Sequence, residues 1–200
     1  MRKWVLLIIA TITLSACAGQ KVWAPDEVVA KAAYRQAGPA RLTLFTMINN
    51  KTGAGAHTAL MINGSQRVIF DPAGSFKHKS VPERNDVIFG ITPEVADVYT
   101  RYHARQTYRV QIQQIDVSPE VAEMAMREVM AYGAVGKLRC SNSTSQIIAR
   151  LPGFEHIKQT WFPRKLAKQF GQLPGVTSQE LYEYDSDDNS KVLAAWQPAT

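Results

Sequence analysis

The sequence predicts an α+β fold in which an antiparallel sheet packs against a helix bearing a cysteine at its start. Three observations predict it. The first is the run Leu138-Arg139-Cys140-Ser141-Asn142-Ser143-Thr144-Ser145-Gln146-Ile147-Ile148-Ala149-Arg150-Leu151-Pro152-Gly153. Its small polar residues can cap a helix, Thr144, Ile147, Ile148 and Leu151 recur at helical spacing, and Pro152-Gly153 ends it. The second is Asn63-Gly64-Ser65, a hairpin turn signal between two β-prone runs, 56–62 and 66–71. The third is a pair of helix starts, Thr92-Pro93-Glu94 and Ser118-Pro119-Glu120, on either side of an alternating run from Thr107 to Val117.

Before the fold comes a leader. Arg2 and Lys3 precede the apolar Trp4-Val5-Leu6-Leu7-Ile8-Ile9-Ala10, and Leu14-Ser15-Ala16-Cys17 follows. A basic start, a short apolar run and small residues before a cleavage point make residues 1–16 a secretory signal, too short for a comfortable membrane span. Leu-Ser-Ala-Cys resembles a bacterial lipobox, which implies cleavage before Cys17, acylation of Cys17 and attachment to a membrane. Ala18 in place of Asp implies, by resemblance to Gram-negative lipoproteins, the outer membrane, with the chain facing the periplasm. The competing reading is an ordinary signal peptide with an incidental cysteine.

Loss of residues 1–16 removes Arg2 and Lys3 from the 23 basic side chains, leaving 21 against 17 acidic ones and lowering the net charge from +6 to +4. No dense basic run exists, so nucleic acid is not an expected partner. What remains suits one domain with a real core. The expected divisions are the signal at 1–16, a lipid-anchored tether and helix at 17–40, the main domain at 41–184, and a tail at 185–200.

In chain order, a helix is expected over 26–36, with Val28, Val29, Ala32 and Ala33 on one side and Gly38-Pro39 closing it. A strand follows over 41–48, then the flexible loop 49–55, which lacks the Gly-Lys-Ser/Thr of a phosphate-binding loop. The hairpin strands 56–62 and 66–71 come next, and 72–85 reads as irregular. The helix from Thr92 carries Val95, Val98, Tyr99 and Tyr102 on one face. The strand 107–117 breaks its alternation at Gln113-Gln114, as at a bulge. The helix from Ser118 turns Val121, Met124, Ala125, Val129 and Tyr132 inward and ends at Gly133, with Met124, Met126 and Met130 as core filler. After the Cys140 helix come a short helix over 162–170 and a late strand over 181–184. Asp185-Ser186-Asp187-Asp188-Asn189 begins like a calcium loop but lacks its glycine and its glutamate, so it reads as a solvated turn. No metal or cofactor is called for.

The chemistry starts from cysteine arithmetic. There are two cysteines, and if Cys17 carries lipid, Cys140 has no partner within the chain. A free thiol in an oxidising compartment is sealed in a core or used. At a helix start the macrodipole and unpaired N–H groups favour a thiolate, whereas the bland alternative is a small buried apolar residue. A thiolate nucleophile needs a base. Of His57, His78, His103 and His156, only His57 opens a strand directly behind a Gly53-Ala54-Gly55-Ala56 run, so His57 is the expected base. The competing reading is a strand-end histidine without chemistry. A three-residue loop at 63–65 pairs Ile62 with Gln66 and His57 with Asp71. It gathers Leu60, Ile62, Val68 and Phe70 on one face and His57, Ala59, Ile69 and Asp71 on the other. Asp71 is then the group that orients the imidazole, unless it merely opens an Asp-Pro turn.

The order of these residues, His57 in a hairpin strand, a polar residue near the end of the next strand, then Cys140 at the start of a later helix, resembles the circularly permuted NlpC-type, papain-like cysteine hydrolases, the branch that includes lecithin:retinol acyltransferase. The resemblance spans about residues 41–170 and extends to Trp161-Phe162-Pro163-Arg164-Lys165-Leu166. It implies a papain-like fold and a catalytic Cys140, His57 and Asp71. Cys140-Ser141-Asn142-Ser143 differs from the Asn-Cys-Glu-His of the acyltransferase subgroup, and Asp71 stands where that subgroup has a second histidine. The expected function is an envelope-anchored cysteine hydrolase acting on cell-wall peptide or on a lipid acyl bond. The alternatives are a non-catalytic envelope lipoprotein used for binding or assembly, and an immunity- or inhibitor-type lipoprotein.

Overall fold

The computed structural model describes residues 19–196; the expected signal at 1–16, the expected lipidation site Cys17 and Ala18 lie outside them. Seven antiparallel strands form one sheet in the order β4-β5-β3-β2-β1-β6-β7, accompanied by six helices among the described residues. The strands are β1 (Arg41–Asn49), β2 (Gly55–Asn63), β3 (Arg67–Phe70), β4 (Glu83–Arg84), β5 (Val87–Ile88), β6 (Tyr108–Asp116) and β7 (Thr177–Leu181). The helices are α1 (Asp26–Ala32), α2 (Pro93–His103), α3 (Pro119–Tyr132), α4 (Cys140–Ile148), α5 (Pro163–Phe170) and α6 (Ser190–Ala195). The α+β class and the antiparallel sheet expected from the sequence are both present.

β1 runs through the middle with seven consecutive buried residues, Leu42 to Ile48. Side chains alternate across a strand, so such a run means that both faces are covered. On one face Leu42, Leu44, Leu60, Ile62, Val68 and Phe70 meet α3, α4 and α5 through Ala125, Val129, Ile147, Ile148, Leu166 and Phe170. On the other, Phe45, Met47, Ala59, Met61 and Ile69 meet α2 and α6 through Val95, Tyr99, Tyr102 and Trp196. The side of the sheet that carries His57 and Asp71 is thus a second apolar layer rather than an open site face.

Helix starts follow the sequence. Thr92 and Ser118 accept hydrogen bonds from the backbone N–H of Val95 and Val121, with proline in the first turn of each helix. Gly133 ends α3 at φ 84, a conformation that glycine adopts without penalty. α4 begins at Cys140, but Arg139 is its N-cap and gives no side-chain cap bond. Ser141 to Ser145 lie inside the helix and are buried, where small hydroxyl side chains let α4 lie close on β2.

Several expectations need correction. α1 stops at Ala32, because Ala33 turns extended and the Tyr34 carbonyl accepts the Arg67 N–H at 2.7 Å. The hairpin pairs Leu60 with Phe70 and Asn63 with Arg67, leaving Gly64, Ser65 and Gln66 as the loop, two residues beyond the expected register. The shift is even, so every side chain keeps its expected face. β6 pairs with β1 without a break, and the bulge lies instead between Met47 and Ile48 opposite β2, beside His57. The run at 72–85 is not wholly irregular. Asn85 and Asp86, at φ 44 and 69, make the tight turn of a β4–β5 hairpin. The late strand is Thr177–Leu181 rather than 181–184. Met130 is 38% exposed and is not core filler, unlike Met126. The expected tail carries α6, and Trp196 behind it is buried and donates its indole N–H to Glu94 at 2.9 Å. Asp187 is no free turn residue, since its carboxylate accepts the N–H and hydroxyl of Thr107.

Candidate active site

β3 pairs with β2 only from Leu60 onward, so the edge of β2 at His57 and Thr58 has no strand beside it. The first turn of α4 fills that place. The Cys140 thiol sits beside the His57 imidazole and next to the backbone of Thr58 and Ser141, which act on its charge. Cys140 is 8% exposed, and 18% of the His57 side chain remains open. Sulfur and ring therefore sit at the floor of an accessible corner.

The other side of the imidazole is fixed. His57 Nε2 lies 2.6 Å from Asp71 Oδ1, which commits Nε2–H to the carboxylate and leaves Nδ1 for Cys140. Asp71 directly follows the last paired residue, Phe70 opposite Leu60, so it comes level with Ala59 and is the diagonal neighbour of His57 on the same face. Asp71 is buried and also accepts the Tyr99 hydroxyl at 2.9 Å. It opens a turn as well. The Gly74 N–H bonds the Asp71 carbonyl, with Pro72 second and Ala73 third at φ 57. Those are the positions of a type II turn, with alanine where glycine is usual. The turn-opener and orienting readings of Asp71 both hold geometrically.

Electrostatics follows from this row. Burial disfavours a charged His57, but the Asp71 carboxylate and the Cys140 sulfur outweigh burial and hold the imidazole at about 10. Burial pushes the Cys140 thiol up, yet the His57 hydrogen bond and charge, helped by the two backbone N–H groups, bring it below its ordinary value. Burial likewise opposes the Asp71 charge, and His57, His103 and Tyr99 together hold its carboxyl below the usual range. All three shifts run toward the charged forms, an imidazolium between a thiolate and a carboxylate.

Two residues in the site were not assigned to it from sequence. Tyr99 was placed only on the inner face of its helix, and its bond to Asp71 depends on α2 crossing that corner. His103 ends α2 with no local sign of chemistry, yet its ring stacks on His57 with centroids 6.0 Å apart and an interplanar angle of 19°. Its Nδ1 lies 2.8 Å from the Tyr99 carbonyl, so Nδ1 carries the proton. Burial lowers His103 to about 4 despite Asp71, which keeps this ring neutral beside the charged one. His78 packs on Trp196 and His156 faces the Gln169 carbonyl, both away from Cys140. A cavity of about 310 Å³ lies on the α2 side of His57, lined also by Ala73, Gly74, Tyr102, His103 and Arg105. Among the described residues no cluster suited to hold a metal ion is found.

Gly74 is the tightest point behind the row. A Cβ built there would stand 1.8 Å from Asp71 Oδ2 and 2.2 Å from its carboxyl carbon, far inside van der Waals contact. Gly74→Ala is expected to displace the Asp71 carboxylate and return Cys140 toward ordinary thiol behaviour, slowing its alkylation at pH 6 by about tenfold. The alkylation rate of the purified variant checks this. An unchanged rate would mean that the carboxylate does not tune the thiol. No family model, curated protein or solved structure matches this chain.

Proposed function

We propose that the chain is an envelope-anchored cysteine hydrolase or acyltransferase that uses Cys140, His57 and Asp71, acting on cell-wall peptide or on a lipid acyl bond. The observation that carries the reading is the row in which Cys140 sits beside His57, His57 Nε2 meets Asp71 and Asp71 accepts the Tyr99 hydroxyl. A merely structural cysteine has no use for a buried, charge-stabilised imidazole on its sulfur. The order of these residues along the chain, and a cysteine helix laid on an antiparallel sheet, support the permuted NlpC-type, papain-like assignment.

The reaction follows from the geometry. The Cys140 thiolate attacks the carbonyl carbon of an amide, ester or thioester, and the carbonyl oxygen takes up the negative charge. The Cys140 backbone N–H, at the start of α4 where no preceding turn supplies an acceptor, stabilises that oxyanion. His57 Nδ1–H passes its proton to the departing amine, alcohol or thiol as the carbon–heteroatom bond breaks, leaving an acyl-thioester on Cys140. Water or an acceptor alcohol or amine, deprotonated by the now neutral His57, then releases the acyl group and restores the thiolate. Asp71 holds the tautomer and balances the imidazolium. Anchorage through acylated Cys17 keeps the site beside both candidate substrates.

The test is covalent. Incubation with an activated acyl ester is expected to add one acyl mass, located at Cys140 by peptide mapping and lost again on standing. Cys140→Ala should remain unmodified under the same conditions. A chain that gains no acyl group, or gains it equally in the variant, is better described as a non-catalytic envelope lipoprotein.

A further inference from the structure

The basic side chains of this sequence are unevenly placed. From residue 129 to 179 there are seven Lys or Arg and a single acid, Glu155. This quarter of the chain holds Cys140, and Lys137, Arg139 and Arg164 lie with apolar side chains in the segment before α4 and at the start of α5. Leu138 is 87% exposed, Trp161 55% and Phe162 69%. Leu138 also holds φ 66, a left-handed conformation that a leucine adopts only at a cost and that here turns its side chain to solvent.

These residues form one surface. The Arg139 guanidinium stands 5.9 Å from the centre of the Trp161 ring, joining the segment before α4 to the segment before α5. Gly55, two residues before His57, packs against Pro163 and Arg164, and a Cβ there would lie 2.8 Å from Pro163 Cβ. The patch therefore rims the corner where Cys140 and His57 meet. The first described residue, Gly19, lies against the loop that leads to this patch. Gly19 lies so close to Ala134 and Val135 that a Cβ on it would stand 2.5 Å from their backbone, and Leu138 follows Ala134 by four residues. Cys17 precedes Gly19 by two residues in the chain.

We propose that this face, with Leu138, Trp161 and Phe162 leading and Lys137, Arg139 and Arg164 around them, docks on an anionic lipid bilayer and holds the mouth of the site against it. The site's part in this rests on the cysteine-hydrolase reading, and the anchor's part on acylation of Cys17. Exposed Trp, Phe and Leu seat at the boundary of headgroups and acyl chains, and each nearby Lys or Arg is drawn to anionic headgroups. A lipid attached next to Gly19 would present this face to the membrane rather than the opposite sheet edge.

The experiment uses the mature acylated chain reconstituted in vesicles of phosphatidylcholine with or without phosphatidylglycerol, some lipids carrying brominated acyl chains that quench tryptophan. The difference between wild type and Trp161→Phe isolates the Trp161 signal. That signal is expected to be quenched at least twofold more with phosphatidylglycerol than without it. The quenching should fall to background in Leu138→Asp and in the charge-reversed triple variant Lys137→Glu, Arg139→Glu, Arg164→Glu, with circular dichroism unchanged. An unquenched Trp161, or quenching that neither anionic lipid nor these substitutions alter, overturns the proposal. So does Trp161 shielding that depends on protein concentration or on added nucleic acid rather than on lipid. Alkylation of Cys140 in the same samples reads the hydrolase proposal separately, since it reports the thiolate whether or not the face meets lipid.

Discussion

Asp71→Ala is expected to destabilise the protein by about 3 kcal/mol and to abolish the low-pH reactivity of Cys140 together. The carboxylate is buried and holds two donors, His57 Nε2–H and the Tyr99 hydroxyl. Truncation strands both, and each buried donor left without a partner costs about 1–3 kcal/mol. The His57 cation also loses the charge that outweighs its burial, so the ring becomes neutral and no longer stabilises a thiolate. Asp71→Asn separates the two effects. The amide can still accept a hydrogen bond, so most stability should return while the thiolate does not. Chemical denaturation and alkylation of both variants check this. Equal stability of Asp71→Ala and wild type would remove the carboxylate from the account.

The same pair makes stability depend on pH in a defined sense. Asp71 is held below its unfolded value of 3.8, so its contribution is present above that pH and is lost as pH falls through the lower folded value. His57 is raised from 6.5 to about 10, so its contribution is complete below 6.5 and is lost as pH rises toward 10. The stability gap between wild type and Asp71→Asn should therefore be widest between about pH 4 and 6.5.

His57→Ala is expected to reduce acyl transfer through Cys140 by a factor on the order of 10³, because general acid–base help from a positioned imidazole is worth about 10²–10⁴. Two functions disappear at once. The thiol loses the cation that lowers it, and the leaving group loses its proton donor. Folding should change less than in Asp71→Ala, because Tyr99 still donates to Asp71. The rate of acyl-enzyme formation from an activated ester, compared in the two chains, checks the prediction. A rate within threefold of wild type would assign the base to another group.

Much of this was legible in the sequence because it depends on parity and local signals. Period-two alternation in 56–71 fixed which side chains share a face, and an even error in the hairpin loop left that unchanged. His57 and Asp71 therefore ended on one face, as diagonal neighbours rather than direct ones. Pro and Ser/Thr marked the starts of α2 and α3, and α4 began at Cys140 as its spacing implied. What escaped was set by tertiary packing. Nothing local in His103 or Tyr99 says that α2 crosses the end of β2, and nothing in Asp185 to Trp196 says that Glu94 awaits an indole N–H. The Asn85-Asp86 turn carried a usable signal, since Asn and Asp tolerate positive φ, but flanking strands of two residues are too short for alternation to register. Gly74 could be identified only once the Asp71 carboxylate had a position in space.

The most direct test of the thiolate–imidazolium pair is the alkylation rate of Cys140 in the folded wild-type chain as pH is lowered, with His57→Ala beside it. An unperturbed thiol loses about tenfold in rate for each pH unit below its ordinary value near 8.5. Because Cys140 lies below its ordinary value and His57 above its own, the wild type should keep reacting at pH 6, where the variant is slower by about tenfold or more. Coincident profiles for the two proteins, both falling from the ordinary thiol range, would contradict the pair and the catalytic reading built on it.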